Sequence, residues 1–447
     1  MRKQFLAVVV ASAFLVAAFG ATSLFAADNI KIAKIGYEGM MTGPLSMYGV
    51  PLAHGHQFAI DYLNKVLFPN GMPIGKDKYH FELVVEDDGS NPSEAPLAAQ
   101  RALDKGIFGM ITCLGSFIEP VYPKLAEMKV PMITNSPFMT EKVGGGDVGG
   151  WIYRYRNTPT QVMPAVAAHI KTKFAPKRAT VLSETGSMGT PGGQQWLDSA
   201  VKAGGIPRDQ IEWQQYKAGI QGNEWLPYLT KAMGWKSDAI FSGATGEWSG
   251  TPQACDQYLQ GKELGYKGVF GSYTGMTDVQ ARTILGPNFA SYLGNVFQGE
   301  GVDAFTTPDA KVRKWGMEYF EKYKEYPIDM IPWAWDEVML LVSAAQMAGT
   351  VTDGDKINKA LADMPFNFPL AKELKTPMSP LRGDKMWDAK GQALMEVMVA
   401  TWTKDGVKVP AAIMLVDESG KILRTTYPKP ELIKELTQES MDRSKKK

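Results

Sequence analysis

The strongest constraint on this chain is a rhythm. Short apolar runs, each too short for a helix, alternate with segments whose apolar residues recur at helical spacing. The rhythm runs through twice. In the first pass Ile30–Gly36, Phe81–Glu86, Ile107–Leu114 and Val130–Thr134 are predicted strands. Predicted helices separate them: Leu52–Leu67, a segment with Ser93 as its N-cap, and Pro120–Met128. After Trp151–Arg156 the pattern restarts. Strands are expected at Ala179–Ser183, Ile211–Tyr216, Ala239–Ser242 and Val269–Tyr273, and helices at Pro164–Phe174, Gln194–Ala203, Trp225–Met233 and Ala254–Glu263. Short, uniformly apolar strands between amphipathic helices mean parallel sheets covered on both faces. Two such sets predict an α/β chain of two similar lobes, which suits a length of 447 residues. The later part reads as helical at Ala310–Tyr323, Trp333–Ala348 and Lys356–Met364, then β-like at Met395–Thr403 and Ala412–Val416. The tail, Thr437–Lys447, is polar and is expected to be frayed and solvated.

The N-terminus reads as an address. Arg2 and Lys3 precede an uncharged stretch from Gln4 to Ala27 whose apolar core is Phe5–Phe19. A basic start, an apolar core and small residues at the exit make residues 1–26 a predicted secretory signal peptide, cleaved near Ala26. The alternative is an uncleaved anchor, since the uncharged stretch is just long enough to span a bilayer. No cysteine lies near the junction, which excludes a lipoprotein anchor. The mature protein is expected to be soluble and periplasmic.

Composition removes several function classes. Lys+Arg is 48 and Asp+Glu 47, a balance that offers no whole-protein field for nucleic acid or an anionic membrane. Two cysteines exclude a disulfide scaffold and a four-cysteine metal site, and four histidines argue against multi-histidine metal chemistry. No cofactor is expected. Cys113 and Cys255 fall on different lobes and are expected to be free thiols, because a bridge would tie the lobes together. Neither a Gly-x-Ser-x-Gly nucleophile turn nor a phosphate-binding Gly-x-x-x-x-Gly-Lys loop occurs. Gly144–Gly149 matches Gly-x-Gly-x-x-Gly, but a strand-like segment follows it, so a flexible loop is expected. His54 and His56 are two apart on a predicted helix and point in different directions. Glu86-Asp87-Asp88 reads as a strand end with capping carboxylates in preference to a divalent-ion site. Enzyme chemistry is therefore not expected; a secreted enzyme or a sensor module stands only as the alternative class.

In open α/β sheets, ligands bind beyond the carboxyl ends of the strands. The turns there are Gly36–Tyr48, Leu114–Ile118, Asn135–Phe138, Glu184–Gly189, Gly243–Trp248 and Tyr273–Met276. They are rich in Gly, Ser, Thr and aromatic residues and poor in charge, which suits neutral hydrogen bonding and stacking around a small ligand.

Gly39-Met40-Met41-Thr42-Gly43-Pro44-Leu45-Ser46-Met47-Tyr48-Gly49 resembles the opening loop of the leucine/isoleucine/valine-binding protein family, the periplasmic solute receptors of ABC importers. Val85–Asp88, Gly115-Ser116 before Pro120, Val130–Thr134, Arg178–Ser183 followed by Gly189, and Trp387–Gly391 agree in order and spacing. The resemblance covers nearly the whole mature chain. It implies the type I periplasmic binding fold, two Rossmann-like parallel-sheet lobes joined by a three-crossover hinge near Trp151–Arg156, Gly301–Phe305 and Pro380–Asp384. The implied lobes are 27–154 with 305–381, and 155–304 with 382–436; 437–447 is the polar tail. It further implies a monomer that closes by hinge motion around a small ligand and delivers it to an ABC transporter permease.

Carried over residue by residue, the resemblance places the ligand's carboxylate at Gly115-Ser116 and Ser136-Pro137-Phe138, although Pro137 lacks an N–H. Tyr48 matches the family's cleft tyrosine. Met188 stands where many members have tyrosine. Gly271-Ser272-Tyr273-Thr274-Gly275 stands where amino-acid binders carry an acid, so Glu247 or Asp303 would have to serve an ammonium group. The ligand is thus a branched-chain or other amino acid or, given Tyr48, Phe138, Trp248 and Tyr273, an aromatic or other small carboxylate or amide.

Overall fold

The computed structural model describes residues 29–113, 115–136, 150–185, 189–217, 219–244, 250–273, 275–376, 385–388 and 390–444. In chain order, the first part contains β1 (Lys31–Gly39), α1 (Ser46–Tyr62), β2 (Met72–Ile74), β3 (Asp77–Asp87), α2 (Ala95–Asp104), β4 (Ile107–Thr112), α3 (Gly115–Glu127), β5 (Met132–Thr134) and β6 (Ile152–Arg154). Its six strands form one sheet in the order β2-β3-β1-β4-β5-β6. All neighbours are parallel except β2, which pairs antiparallel with β3.

The second sheet is built from β7 (Ala179–Glu184), β8 (Ile211–Tyr216), β9 (Ala239–Ala244), β10 (Val269–Ser272), β11 (Val296–Glu300), β12 (Glu396–Trp402), β13 (Lys408–Val416) and β14 (Ile422–Thr426). Its order is β14-β13-β12-β11-β10-β9-β7-β8. The five strands from β8 to β11 run parallel, while β12, β13 and β14 add an antiparallel edge. Successive residues of a strand point to opposite faces, and the cores follow that rule. Ala239 and Phe241 of β9 join Val162, Val166 and Trp196 on one face, whereas Ile240 joins Tyr258, Phe270 and Tyr292 on the other.

The remaining helices are α4 (Pro159–Phe174), α5 (Gly189–Lys202), α6 (Leu226–Gly234), α7 (Gly250–Glu263), α8 (Gln280–Leu285), α9 (Phe289–Tyr292), α10 (Ala310–Tyr323), α11 (Met330–Ala348), α12 (Gly354–Ala362) and α13 (Pro430–Ser444). Helix α11 is buried from Met330 to Ala345 without a break, as its near-continuous apolar sequence requires. It packs on α1, where a Cβ on Gly55 would lie 2.8 Å from that of Ala334. Each fully buried Leu or Ile here, such as Ile331, Leu340 and Leu341, stabilises the lobe by about 1.5–3 kcal/mol.

The chain passes between the two cores three times. Strand β6 ends in the first sheet and α4 packs on the second; β11 ends in the second and α10 joins the first core. Met386, Trp387, Ala393 and Met395 pack in the first core before β12 enters the second sheet. That third passage falls after Met395, whereas the expected boundary lay at residue 382; residues 380–384 are outside the described set.

Three local expectations are corrected. Ser93 is not the N-cap of α2: Glu94 occupies that position without a side-chain cap, and the Ser93 N–H bonds Asn91 Oδ1 at 3.1 Å. Helix α3 begins at Gly115, so Pro120 lies inside it instead of opening it. The tail is helical to Ser444: Leu436 is buried with Val407 and Val409, Arg313 bonds Glu439 at 3.1 Å, and the Arg443 guanidinium lies 3.9 Å from the Phe305 ring centre.

Cys113 and Cys255 are buried in different cores and are not bridged to each other, as expected. Burial pushes the Cys255 thiol up to about 12. His54 and His56 do diverge: His54 bonds Glu325 at 3.0 Å and stacks on Tyr323, while His56 is fully buried against Glu337 at 3.1 Å. Glu86 pairs with Arg101 at 2.6 Å and Lys105 at 2.5 Å. Asp87 accepts the Met41 and Thr42 N–H groups and the Thr42 hydroxyl, fixing the loop that leads into α1.

Candidate functional site

The carboxyl ends of both sheets bring together residues that lie far apart in the chain. Tyr48 sits in the first turn of α1, just after β1. Thr251, in the first turn of α7, lies close to its hydroxyl, across the gap between the cores. Burial holds the Tyr48 phenol well above its ordinary value, and the Asp278 carboxylate adds to this. The Thr251 hydroxyl donates in turn to Asp278 Oδ2 at 2.6 Å. The relay continues through side chains. Gln298 Nε2 donates to Asp278 Oδ1 at 2.9 Å and to Glu300 Oε2 at 3.0 Å, and Lys408 Nζ reaches Glu300 Oε1 at 2.5 Å and Asp303 Oδ2 at 3.1 Å. Burial alone would lower the Lys408 ammonium, but Glu300 and Asp303 hold it well above its ordinary value.

The first passage between the cores supplies a guanidinium. Strand β6 is carried on by Tyr155, whose N–H bonds Thr134 O at 2.8 Å and whose hydroxyl bonds Asp336 at 2.9 Å. Burial raises the Asp336 carboxyl to about 6. The next residue, Arg156, has its carbonyl held by Gln392 Nε2 at 2.6 Å. Its side chain is half-buried, donates to Asn135 O at 3.1 Å, and lies 4.8 Å from the Trp333 ring centre. Tyr273, which follows β10 in the second sheet, lies beside Arg156; burial pushes its phenol up to about 12, against the pull of that arginine. Beneath Asn135, burial raises Glu337 well above its ordinary value and lowers His56 to about 3, both shifts favouring the neutral forms.

The sequence-predicted residues divide accordingly. Tyr48 and Tyr273 come together around Arg156. Gly115 is buried and Ser116 half-buried at the N-terminus of α3. Ser136 is buried at the end of β5, its N–H bonded to Thr134 Oγ1 at 3.0 Å. Asp303 is consumed structurally: it accepts the Phe305 and Thr306 N–H groups at 2.8 and 2.9 Å as well as Lys408. Pro137, Phe138, Met188, Glu247, Trp248 and Thr274 lie outside the described residues, as does the loop at 144–149.

Sequence reading missed Arg156, Thr251, Asp278 and Trp333 as cleft residues. A signal existed for two of them. Arg156 ends the segment flagged as a crossover, and Asp278 lies two residues past the flagged turn Tyr273–Met276. Among the described residues, no group of three His, Cys, Asp or Glu side chains could hold a metal ion, and no helix is long and apolar enough to cross a membrane. Among the described residues, what converges is a set of hydroxyls, aromatic faces, one guanidinium and one carboxylate, contributed by both lobes and a connecting strand. Such a set can enclose and orient a small polar molecule.

Comparison with known proteins gives a consistent picture. Residues 33–407 match the family described as "Periplasmic binding protein". The Leu/Ile/Val-binding protein BraC3 of Rhizobium johnstonii is 28% identical over 173 residues, 38% of this chain; the match spans only 44% of that relative's length. A leucine binding protein LivK from Thermotoga maritima superposes with a TM-score of 0.66 at 22% identity, covering 89% of this chain and 99% of its own. A solute binding protein of an ABC transporter from Rhodopseudomonas palustris, solved in complex with 3,4-dihydroxy benzoic acid, gives 0.63 at 16% identity, covering 90% of this chain and 99% of its own.

Proposed function

The chain belongs to the periplasmic binding protein family, and from that premise we propose that it is the solute-binding receptor of an ABC importer, capturing a small ligand between its two lobes and releasing it unaltered to a membrane permease. One observation carries this reading. Tyr48 of the first lobe meets Thr251 of the second, and Tyr273 of the second meets Arg156 of the connecting strand, so both lobes and the hinge contribute to one enclosure. Proteins of this kind close by hinge motion around their ligand.

The ligand's carboxylate would lie against Ser116 and Ser136, at the N-terminus of α3 and the end of β5, where hydroxyls and a helix terminus suit an anion. Relatives of this fold include a leucine binding protein and one solved with an aromatic acid, and both ligand classes suit a cleft lined by Tyr48, Tyr273 and Trp333. The receptor works outside the cytoplasm as a monomer, exported by the signal peptide at residues 1–26 and cleaved near Ala26.

Thermal-shift screening with amino acids, aromatic acids and amides tests the reading. A ligand present at 100 times its dissociation constant stabilises by about 2.7 kcal/mol. A protein whose unfolding temperature responds to none of them, or which converts the solute that shifts it, is not this receptor. Ser116→Ala is expected to weaken binding of an anionic ligand about ten- to a hundredfold in calorimetry.

A further inference from the structure

Helix α13 touches both lobes and the hinge between them. Leu432, Ile433 and Leu436 form one face of it and pack with Val407 and Val409 at the start of β13, whose Ala412 and Met414 belong to the second core. Glu435, Glu439 and Arg443 recur every four residues and form the adjacent face. Both glutamates pair with Arg313 of α10, Glu439 at 3.1 Å; α10 in turn sends Val312 and Trp315 into the first core. The Arg443 guanidinium lies over Phe305, in the second passage between the lobes. Arg313 is buried, and it also donates to the Thr307 and Pro308 carbonyls, both at 3.0 Å, which fixes the far end of that passage. Lys408, between the two valines, fixes the near end through Glu300 at 2.5 Å and Asp303 at 3.1 Å. Glu435 and Glu439 balance the Arg313 charge; without them a buried guanidinium would be left uncompensated. The helix is thus tied to α10 by charge and to β13 by apolar packing around the buried Leu436.

We propose that α13 is a brace across the hinge: through Arg313 on one side and Leu436 on the other it favours the arrangement in which the two lobes meet, and so sets how readily the cleft opens. This rests on the receptor reading above, because it presupposes lobes that move. Arg313 is a positioning residue; it acts through α13 and lies away from the cleft residues. Opening moves α10 relative to β13, and one helix cannot follow both. Beside the hinge the displacement is small, but a shift of about 0.5 Å carries the 3.1 Å contact of Arg313 with Glu439 out of hydrogen-bonding range. Either the carboxylates leave Arg313 or Leu436 leaves the valines, so opening costs more with both contacts in place than with one of them weakened. A helix that merely capped one lobe would leave the equilibrium between open and closed forms untouched.

Distance measurement between two spin labels tests this on the full chain without a ligand. The labels go on Glu119→Cys of α3 in the first lobe and on Lys217→Cys, just after β8 in the second; both positions are exposed. The buried Cys113 and Cys255 stay as they are. Two distances are expected, the shorter one marking the lobes together. Glu435→Gln with Glu439→Gln leaves oxygen acceptors for Arg313 but removes the charge, and should lower the short-to-long ratio about two- to tenfold. Leu436→Ala, which loosens the opposite side, should lower it too. Raising salt from about 0.05 M to about 1 M should erode the ratio in the parent and leave the doubly neutralised variant unmoved, a response that lost packing alone would not give. Should one variant fail to fold, the other and the salt titration decide. An unchanged ratio in both variants, or a parent indifferent to salt, would overturn the brace. If a solute of the screen shortens the distance while neither variant alters the ratio, the receptor reading stands and the brace falls. If parent and variants share one distance that no solute moves, both fall.

Discussion

Replacing Tyr48 by phenylalanine deletes one hydroxyl that acts only when the cleft is shut. Where the lobes meet, the Thr251 hydroxyl gives its hydrogen to Asp278 at 2.6 Å, so any hydrogen shared between it and the nearby Tyr48 hydroxyl has to come from Tyr48. Thr251 is fully buried, so a lost donor there is poorly replaced from solvent. With the lobes apart, both hydroxyls are solvated, and the substitution costs nothing. The loss therefore falls on closure alone. A neutral hydrogen bond contributes about 0.5–1.5 kcal/mol net, so the closed-to-open ratio should drop about two- to tenfold. Because ligand is held in the closed state, its dissociation constant should rise by the same factor, chiefly through faster release. Calorimetry gives the affinity and stopped-flow fluorescence the release rate. A double-mutant cycle with Thr251→Val isolates the contact: residues in direct contact couple by about 0.5 kcal/mol or more. Strict additivity of the two substitutions, or an unchanged release rate in Tyr48→Phe, would refute the idea that this hydroxyl latches the lobes.

Other consequences reach beyond the cleft. Glu38 is fully buried, accepts the Thr112 hydroxyl at 2.8 Å and lies against Asp88; burial raises both carboxyls, so the folded state favours keeping a proton on the pair. The unfolded chain loses its proton near the ordinary value of 4.5 while the folded protein keeps it, so this pair costs stability increasingly as pH rises above that value. Glu38→Gln should accordingly gain unfolding temperature relative to wild type on going from pH 4.5 to pH 8, and a difference independent of pH would contradict the assignment. Cys113 and Cys255 should resist alkylation in the native protein and both react once it is unfolded; a mass two hydrogens lighter with no reaction would show a disulfide. Arg313→Ala removes the side chain that bonds Glu435 and Glu439 and should expose α13 to early proteolysis near its end. An unchanged cleavage pattern would show that the tail helix is held by Leu436 packing alone.

How much was legible in the sequence follows from what each feature depends on. Ile211–Tyr216 and Ala310–Tyr323 form an element with the bounds their apolar pattern predicts. A buried parallel strand or an amphipathic helix writes its environment into local composition. Strand β14 does not, because all of its residues but the first are exposed at a sheet edge. Helix α13 was hidden by its charges, although Leu432, Ile433 and Leu436 carry helical spacing. Helix α3 begins five residues early because prolines are tolerated within it, where Pro120 reads locally as a start.

The candidate site was legible where one strand end supplied a residue and illegible where two lobes met. Tyr48 and Tyr273 stand out as aromatics at strand ends. The polar groups they engage, Thr251 and Arg156, are about 200 and 120 residues away along the chain, and no local pattern ties such pairs together. Asp303 illustrates the converse. Its type suited an ammonium, but its carboxylate is spent on Lys408 and on the turn it caps.

The central claim is that one solute is enclosed, intact, between the two lobes. A crystal structure of the protein with the solute that most raises its unfolding temperature tests this most directly. The account predicts a single unaltered molecule in contact with Tyr48 of the first lobe, Tyr273 of the second and Arg156 between them. A molecule bound to the outer face of one lobe, or recovered there chemically changed, would contradict it.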